Sequence, residues 1–149
     1  MRITQEADYA FRIIRCLAAE GGKMGSTKIS ESAGIPHRFT FKILRKLTHA
    51  GMTSSIRGKG GGYLLAKEPQ DITLLDIVEI IDGKVLINKC LEPDYTCTMH
   101  VDTLCSLHKT IGKISETIRD ELRKVKFSDL DQNFLAETRL QETPESSEE

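Results

Sequence analysis

A mainly α fold, in which a winged helix-turn-helix domain carries a small β-hairpin wing and a long C-terminal helix, is predicted by three features of the sequence. Two short helical patterns meet at a glycine turn in "GSTKISESAGIPHRFTFKILRKLTHAGM". Two strand-like runs flank "RGKGGG". A stripe of Leu, Ile and Val then recurs at three- and four-residue steps from Leu104 to Val125. The chain of 149 residues is long enough to bury a real core, as one ordinary domain or a small domain with an appended element.

The elements follow in order. In "ADYAFRIIRCLAA" the residues Ala10, Ile13, Ile14, Leu17 and Ala18 keep helical spacing, and Gly21-Gly22 ends the run. A short second helix is expected from Ser26, read as its N-cap, to Ala33. Gly34 turns the chain, and Pro36 opens a third helix from an early position that proline favours. That third helix has two faces. Thr40, Ile43, Leu44 and Leu47 suit a core, while Arg38, Phe41, Lys42 and Arg45 set three cations around an aromatic ring. The second face has what a recognition helix needs, namely charge for phosphates, guanidinium forks for guanine edges and an apolar group for a thymine methyl. A merely solvated face would not need Phe41.

Met52 to Ile56 and Tyr63 to Ala66 read as the strands of a hairpin. Its glycines allow close backbone approach, and Arg57 and Lys59 at the tip could enter a minor groove as a wing. A phosphate loop is the rival reading of "GKGGG". Such a loop should open a helix with Lys-Ser/Thr, whereas here Tyr63 and a strand follow. "TLLDIVEIIDG" is then a further helix, capped by Thr73 and stopped by Gly83. The final stripe, Leu104, Leu107, Ile111, Ile114, Ile118, Leu122 and Val125, is close to a heptad seam and is expected to pair with a second copy rather than with its own domain. The last residues, "AETRLQETPESSEE", are acidic and poor in apolar groups, so disorder is expected over 136–149.

Charge and composition agree with this layout. Residues 1–68 hold twelve Lys/Arg against five Asp/Glu, and residues 69–149 hold nine against seventeen, so the formal net charge of -1 conceals a basic half suited to a polyanion. Charges interrupt every apolar stretch at the N-terminus, which offers neither a signal-peptide core nor a membrane span. A cytoplasmic protein without a membrane partner is the expectation.

The segment "KCLEPDYTCTMHVDTLCSLHKT" gathers three of the four cysteines and two of the four histidines between residues 89 and 110. In a reducing compartment, structural disulfides are rare and thiolates more often bind metals or do redox chemistry. The spacing Cys90-x6-Cys97-x7-Cys105 lacks the CxxC pairs usual for zinc, and an iron-sulfur cluster tolerates such width. A cluster, zinc or another metal, and redox thiols all stay open on spacing. An enzyme using Cys105 with His108 lacks any accompanying oxyanion motif and leaves the basic helix and wing unexplained. No enzymatic activity is expected. Cys16, between Ile13 and Leu17, reads as core.

"MRITQEADYAFRIIRCLA", "LRKLTHAGMTSSIRGKGGGYLLAKEPQDITLLDIVEIIDG" and the three-cysteine loop together resemble the Rrf-two family of bacterial winged-helix regulators, over about residues 1–130. Members include IscR, NsrR and RirA. The resemblance implies a homodimeric repressor or activator that binds a double-stranded DNA operator, its affinity set by the state of an iron-sulfur cluster. It implies that Cys90, Cys97 and Cys105 ligate that cluster, either 4Fe-4S or 2Fe-2S. For the fourth ligand it offers two positions, Asp8 contributed by the partner chain, as in NsrR-type members, or His108, as in IscR. His100 is a weaker third. The loop is longer than in IscR, and Phe41 stands where IscR has a glutamate, while Arg57 matches the wing arginine of IscR-type complexes. By this reading residues 1–83 are the DNA-binding domain with its linker helix, 84–108 the cluster loop and 104–126 the dimerisation helix. A cluster-free regulator whose loop binds zinc or acts as a thiol redox switch is the alternative.

Overall fold

The computed structural model describes residues 2–100 and 105–130. Helix α1 (Gln5–Glu20) is the element on which the others are assembled, packing against α2 (Ser26–Ala33), α3 (His37–His49) and α4 (Leu74–Asp82). Its Thr4 N-cap accepts a hydrogen bond from the Ala7 N–H at 3.2 Å, and Gly21 closes the helix in the left-handed region that favours glycine. Ala7, Ala10, Ile13, Ile14 and Leu17 fall on one side and are buried against Ile29, Ile43, Leu44 and Leu47. The start of α1 is fastened to the end of α4, because the Thr4 N–H and hydroxyl donate to Asp82 at 3.1 and 2.5 Å.

Between α2 and α3 the turn is left-handed at Gly34, whose N–H reaches the Ser30 and Glu31 carbonyls. The buried Ser30 hydroxyl donates to the Ile35 carbonyl at 2.6 Å, which locks the angle between the two helices. Two cap assignments from the sequence are corrected here. Gly25 rather than Ser26 is the N-cap of α2, and Pro36 is the N-cap of α3 rather than part of its first turn. Both shifts are one residue, which is the scale on which helix ends differ from their patterns.

Strands β1 (Thr53–Ile56) and β2 (Gly62–Leu65) pair antiparallel from Thr53 opposite Leu65 to Ile56 opposite Gly62. Met24 adds a further rung through two backbone hydrogen bonds of 2.8 Å to Tyr63. The hairpin therefore stands on the segment joining α1 to α2. Helix α4 begins with a full capping box: Thr73 Oγ1 accepts from the Asp76 N–H at 3.2 Å and the Asp76 carboxylate accepts from the Thr73 N–H at 2.9 Å. A Thr73→Ala protein is expected to lose about 1 kcal/mol of stability, read as a lower denaturant midpoint with an unchanged slope.

Helix α5 (Ser106–Lys124) lies against α4. The predicted seam divides there. Ile118 and Leu122 turn inward onto Leu75, Val78 and Val85, whereas Leu107 and Ile114 remain 62% and 48% exposed. Between them the Ser115 hydroxyl is buried and donates to the Val85 carbonyl at 3.1 Å. Beyond α5 the chain returns to the core: Lys126 bridges Thr73, the Phe127 N–H donates to the Ile72 carbonyl at 3.0 Å, and the Phe127 ring is buried 6.2 Å from that of Phe11. Leu104 and the acidic stretch 136–149 lie outside the described residues. No helix among the described residues is long and apolar enough to cross a membrane.

Candidate nucleic-acid interface and thiol loop

Burial of Thr40, Ile43, Leu44 and Leu47 fixes the rotation of α3 about its axis, so Arg38, Phe41, Lys42 and Arg45 all face solvent. Phe41 keeps 42% of its surface exposed, with the His37 ring edge-on at 4.8 Å. The Arg38 guanidinium lies over the Phe39 ring, 4.9 Å from its centre. Between α3 and the hairpin runs an open groove of about 810 Å³, lined by Phe41, Lys42, Arg45 and His49 on one side and by Ser55 and Tyr63 on the other. A basic helix with an exposed ring beside a hairpin can present both charge and shape to a duplex.

At the hairpin tip, Arg57 and Lys59 are exposed, and the backbone takes positive φ at Gly58 and Gly60. Gly61 allows no side chain, because a Cβ there would stand 2.3 Å from the Ile56 carbonyl oxygen. The Lys23 ammonium donates to the Gly60 carbonyl and ties the tip to the α1–α2 segment. This tether joins residues far apart in the chain, and nothing in the local pattern announces it.

Glu6, on the first turn of α1, is the other residue that the sequence did not single out. Its carboxylate meets the ammonium of Lys46 at 2.8 Å and of Lys42 at 3.1 Å. The Lys46 contact, opposed by partial burial and assisted by Lys42, holds the Glu6 carboxyl below its ordinary range. Lys46 also donates to the Ile81 carbonyl of α4 at 3.5 Å. The polar face of α3 is thus connected to both α1 and α4.

The described residues from 89 to 100 are mostly irregular. Cys90 lies in a 3-10 turn, Lys89–Leu91, where the Asn88 side chain accepts from its N–H at 3.4 Å. The Cys97 carbonyl accepts from the His100 N–H at 3.0 Å, with His100 in a left-handed conformation. Cys105 is the N-cap of α5, and its carbonyl accepts from the Lys109 N–H at 3.1 Å. All three carry free, half-buried thiols. His108, half-buried, is in the first turn of α5, and Asp8 on α1 is paired with Arg12 at 2.7 Å. Among the described residues no group of three His, Cys, Asp or Glu side chains is placed to hold a metal ion. As chemistry the donor set suits iron and sulfide: three unpaired thiols on backbone able to adjust to a cluster. Cys16 packs at the edge of the core, apart from the loop.

Comparison with known proteins places these features. A family model described as Rrf2, iron-dependent transcriptional regulator, matches residues 3–133. The chain is 31% identical over 131 residues to protein aau3 of Rhizobium meliloti, covering 87% of this chain and 84% of that protein. An Rrf2-like HTH-type transcriptional regulator of Rhodobacter capsulatus is 33% identical over 122 residues, covering 75% and 80%. Among solved structures, CymR, the global cysteine regulator of B. subtilis, superposes with a TM-score of 0.71 at 22% identity, over 89% of this chain and 98% of that one. T. potens IscR gives 0.65 at 22% identity, over 98% and 94%. These two likenesses establish the mainly helical winged fold.

Proposed function

Because the chain belongs to the Rrf2 family, and is therefore a DNA-binding transcriptional regulator and not an enzyme, we propose that it reads a double-stranded operator as a homodimer whose affinity is set by an iron-sulfur cluster. The observation that carries the DNA half is the exposed ring of Phe41 among Arg38, Lys42 and Arg45, beside a cationic hairpin tip. In this reading the α3 face enters the major groove, while Arg57 and Lys59 follow the minor groove. The exposed Leu107 and Ile114 on α5 support pairing with a second copy, which would present two α3 helices to two half-sites. The protein acts in the cytoplasm, where its DNA is.

Three free thiols in one loop, and the iron dependence of the matched family, support the sensory half. Cys90, Cys97 and Cys105 would hold the cluster, with Asp8 of the partner subunit or His108 as fourth ligand. When bound, the group supplies a centre that oxidation, nitric oxide or iron loss alters. The protein's own contacts offer a path from that loop to the DNA face. Leu91 abuts Gly112 of α5, Arg119 of α5 pairs with Glu79 of α4 at 2.9 Å, and the Ile81 carbonyl of α4 holds Lys46 of α3. A ligand can move this equilibrium only by favouring one arrangement of these contacts over another.

The free thiols of the loop equally support a second reading, a cluster-free regulator in which the loop binds zinc or switches by thiol oxidation. Selecting duplexes from a random-sequence library tests the DNA half of both readings. Arg45→Ala is expected to weaken binding of the selected sequence by about 1–3 kcal/mol and relax its base preference, and Arg57→Ala to weaken binding with a shallower salt dependence. A protein that enriches no sequence, or variants that bind like the parent, would contradict the assignment of the α3 face and wing.

A further inference from the structure

We infer that Glu6 is a specificity-determining residue that withholds positive charge from the DNA face, by occupying Lys42 and Lys46 with its carboxylate. The inference rests on the reading of α3 as the DNA-contacting helix and concerns how that helix avoids indiscriminate binding. Lys42 and Lys46 are one helical turn apart, and both line the groove between α3 and the hairpin. Glu6 reaches them from a different helix, with only 23% of its side chain exposed. Pairing at such a position is less screened by salt than pairing at an open surface.

The two lysines are not equivalent. Lys46 is also anchored to the Ile81 carbonyl and has 37% of its side chain exposed, so it stays between the helices. Lys42 is 56% exposed, and the only carboxylate with which it pairs among the described residues is that of Glu6. A DNA phosphate must displace that carboxylate before it gains Lys42. Sequence-independent affinity depends on the number of phosphates neutralised, so an internal anion on this face weakens non-specific binding. Among the described residues Arg38, Phe41 and Arg45 form no ion pair or hydrogen bond with Glu6, so their base contacts are left intact. The outcome is a larger ratio of specific to non-specific affinity, achieved by a repulsive element rather than by a new attractive one.

Binding of a labelled mixed-sequence duplex, measured across a salt series with full-length protein, tests this. Glu6→Gln keeps the shape and removes the charge. It is expected to bind about three- to tenfold tighter at low salt, with a salt slope steeper by about one. In a Lys42→Gln background the same change should give a much smaller gain, which separates withheld charge from a general structural effect. Lys42→Gln alone should reduce the slope less than Arg45→Gln does, and this comparison stands even where Glu6→Gln folds poorly. Unchanged or weaker binding by a folded Glu6→Gln protein overturns the inference while leaving the DNA face intact. Should Arg45→Gln also have no effect, the assignment of that face fails, and the inference with it.

Discussion

A Phe127→Ala protein is expected to lose about 3–5 kcal/mol of stability, a large share of what a domain of this size possesses. The ring is 1% exposed and sits in the main core with residues of α1 and α3, tilted against Phe11. Truncation removes its transfer free energy and leaves a cavity that backbone on both sides holds open. The Phe127 N–H is bonded to Ile72, and the Leu74 N–H is bonded to Val125 at 3.1 Å. These backbone bonds join the end of α5 to the start of α4 and the ring seats that junction in the core, so loss of the ring should also loosen the docking of α5. Denaturant unfolding followed by circular dichroism gives the stability change. A loss below about 1 kcal/mol would mean that this C-terminal return does not belong to the core.

Cys105→Ala is expected to abolish visible absorption and bound iron in protein purified without oxygen, while leaving the fold in place. Cys105 caps α5 with its backbone, and its side chain makes no cap hydrogen bond, so relative to the iron-free parent the change in stability should stay within about 0.5 kcal/mol. Cys16→Ala should retain colour and iron, because Cys16 belongs to the edge of the α1 core and not to the loop. If Cys105→Ala keeps the parent's spectrum and iron content, the three-thiol site is wrong. Asp8→Ala and His108→Ala, measured beside it, identify the fourth ligand: the one that alters the spectrum is the ligand.

The parts of the fold that could be read from sequence are those whose cause is local. Thr73 with Asp76 three residues on is a cap by its own geometry, and the burial of Ile43, Leu44 and Leu47 follows from helical spacing, which also fixed Arg38, Phe41, Lys42 and Arg45 on the opposite face. Where the cause is remote, the pattern was silent. Phe127 follows the charged run "RKVK" beyond the end of the stripe, and it is drawn inside by packing on the remote Phe11 and by the backbone bond to Ile72. The α5 stripe carried the right spacing but not the identity of what covers it. Ile118 and Leu122 meet α4, and Ser115, off the stripe, is buried because its hydroxyl finds the Val85 carbonyl. Glu6 and Lys42 are thirty-six positions apart, so their pairing depends on the packing of α1 on α3. Chemistry marked the cysteines as candidate donors, and only the family resemblance implied which group they would hold. Irregular backbone has no period from which to infer where Cys90, Cys97 and Cys105 stand relative to one another.

The central claim, that the state of a cluster sets affinity for DNA, is tested most directly by one titration performed twice. A duplex selected by the anaerobically purified protein is titrated with that protein, then with the same preparation after a chelator has removed its iron. The account predicts a difference of about tenfold or more, corresponding to about 1.4 kcal/mol between the two states. Equal affinities, or a preparation that holds no iron before the chelator is added, would contradict it.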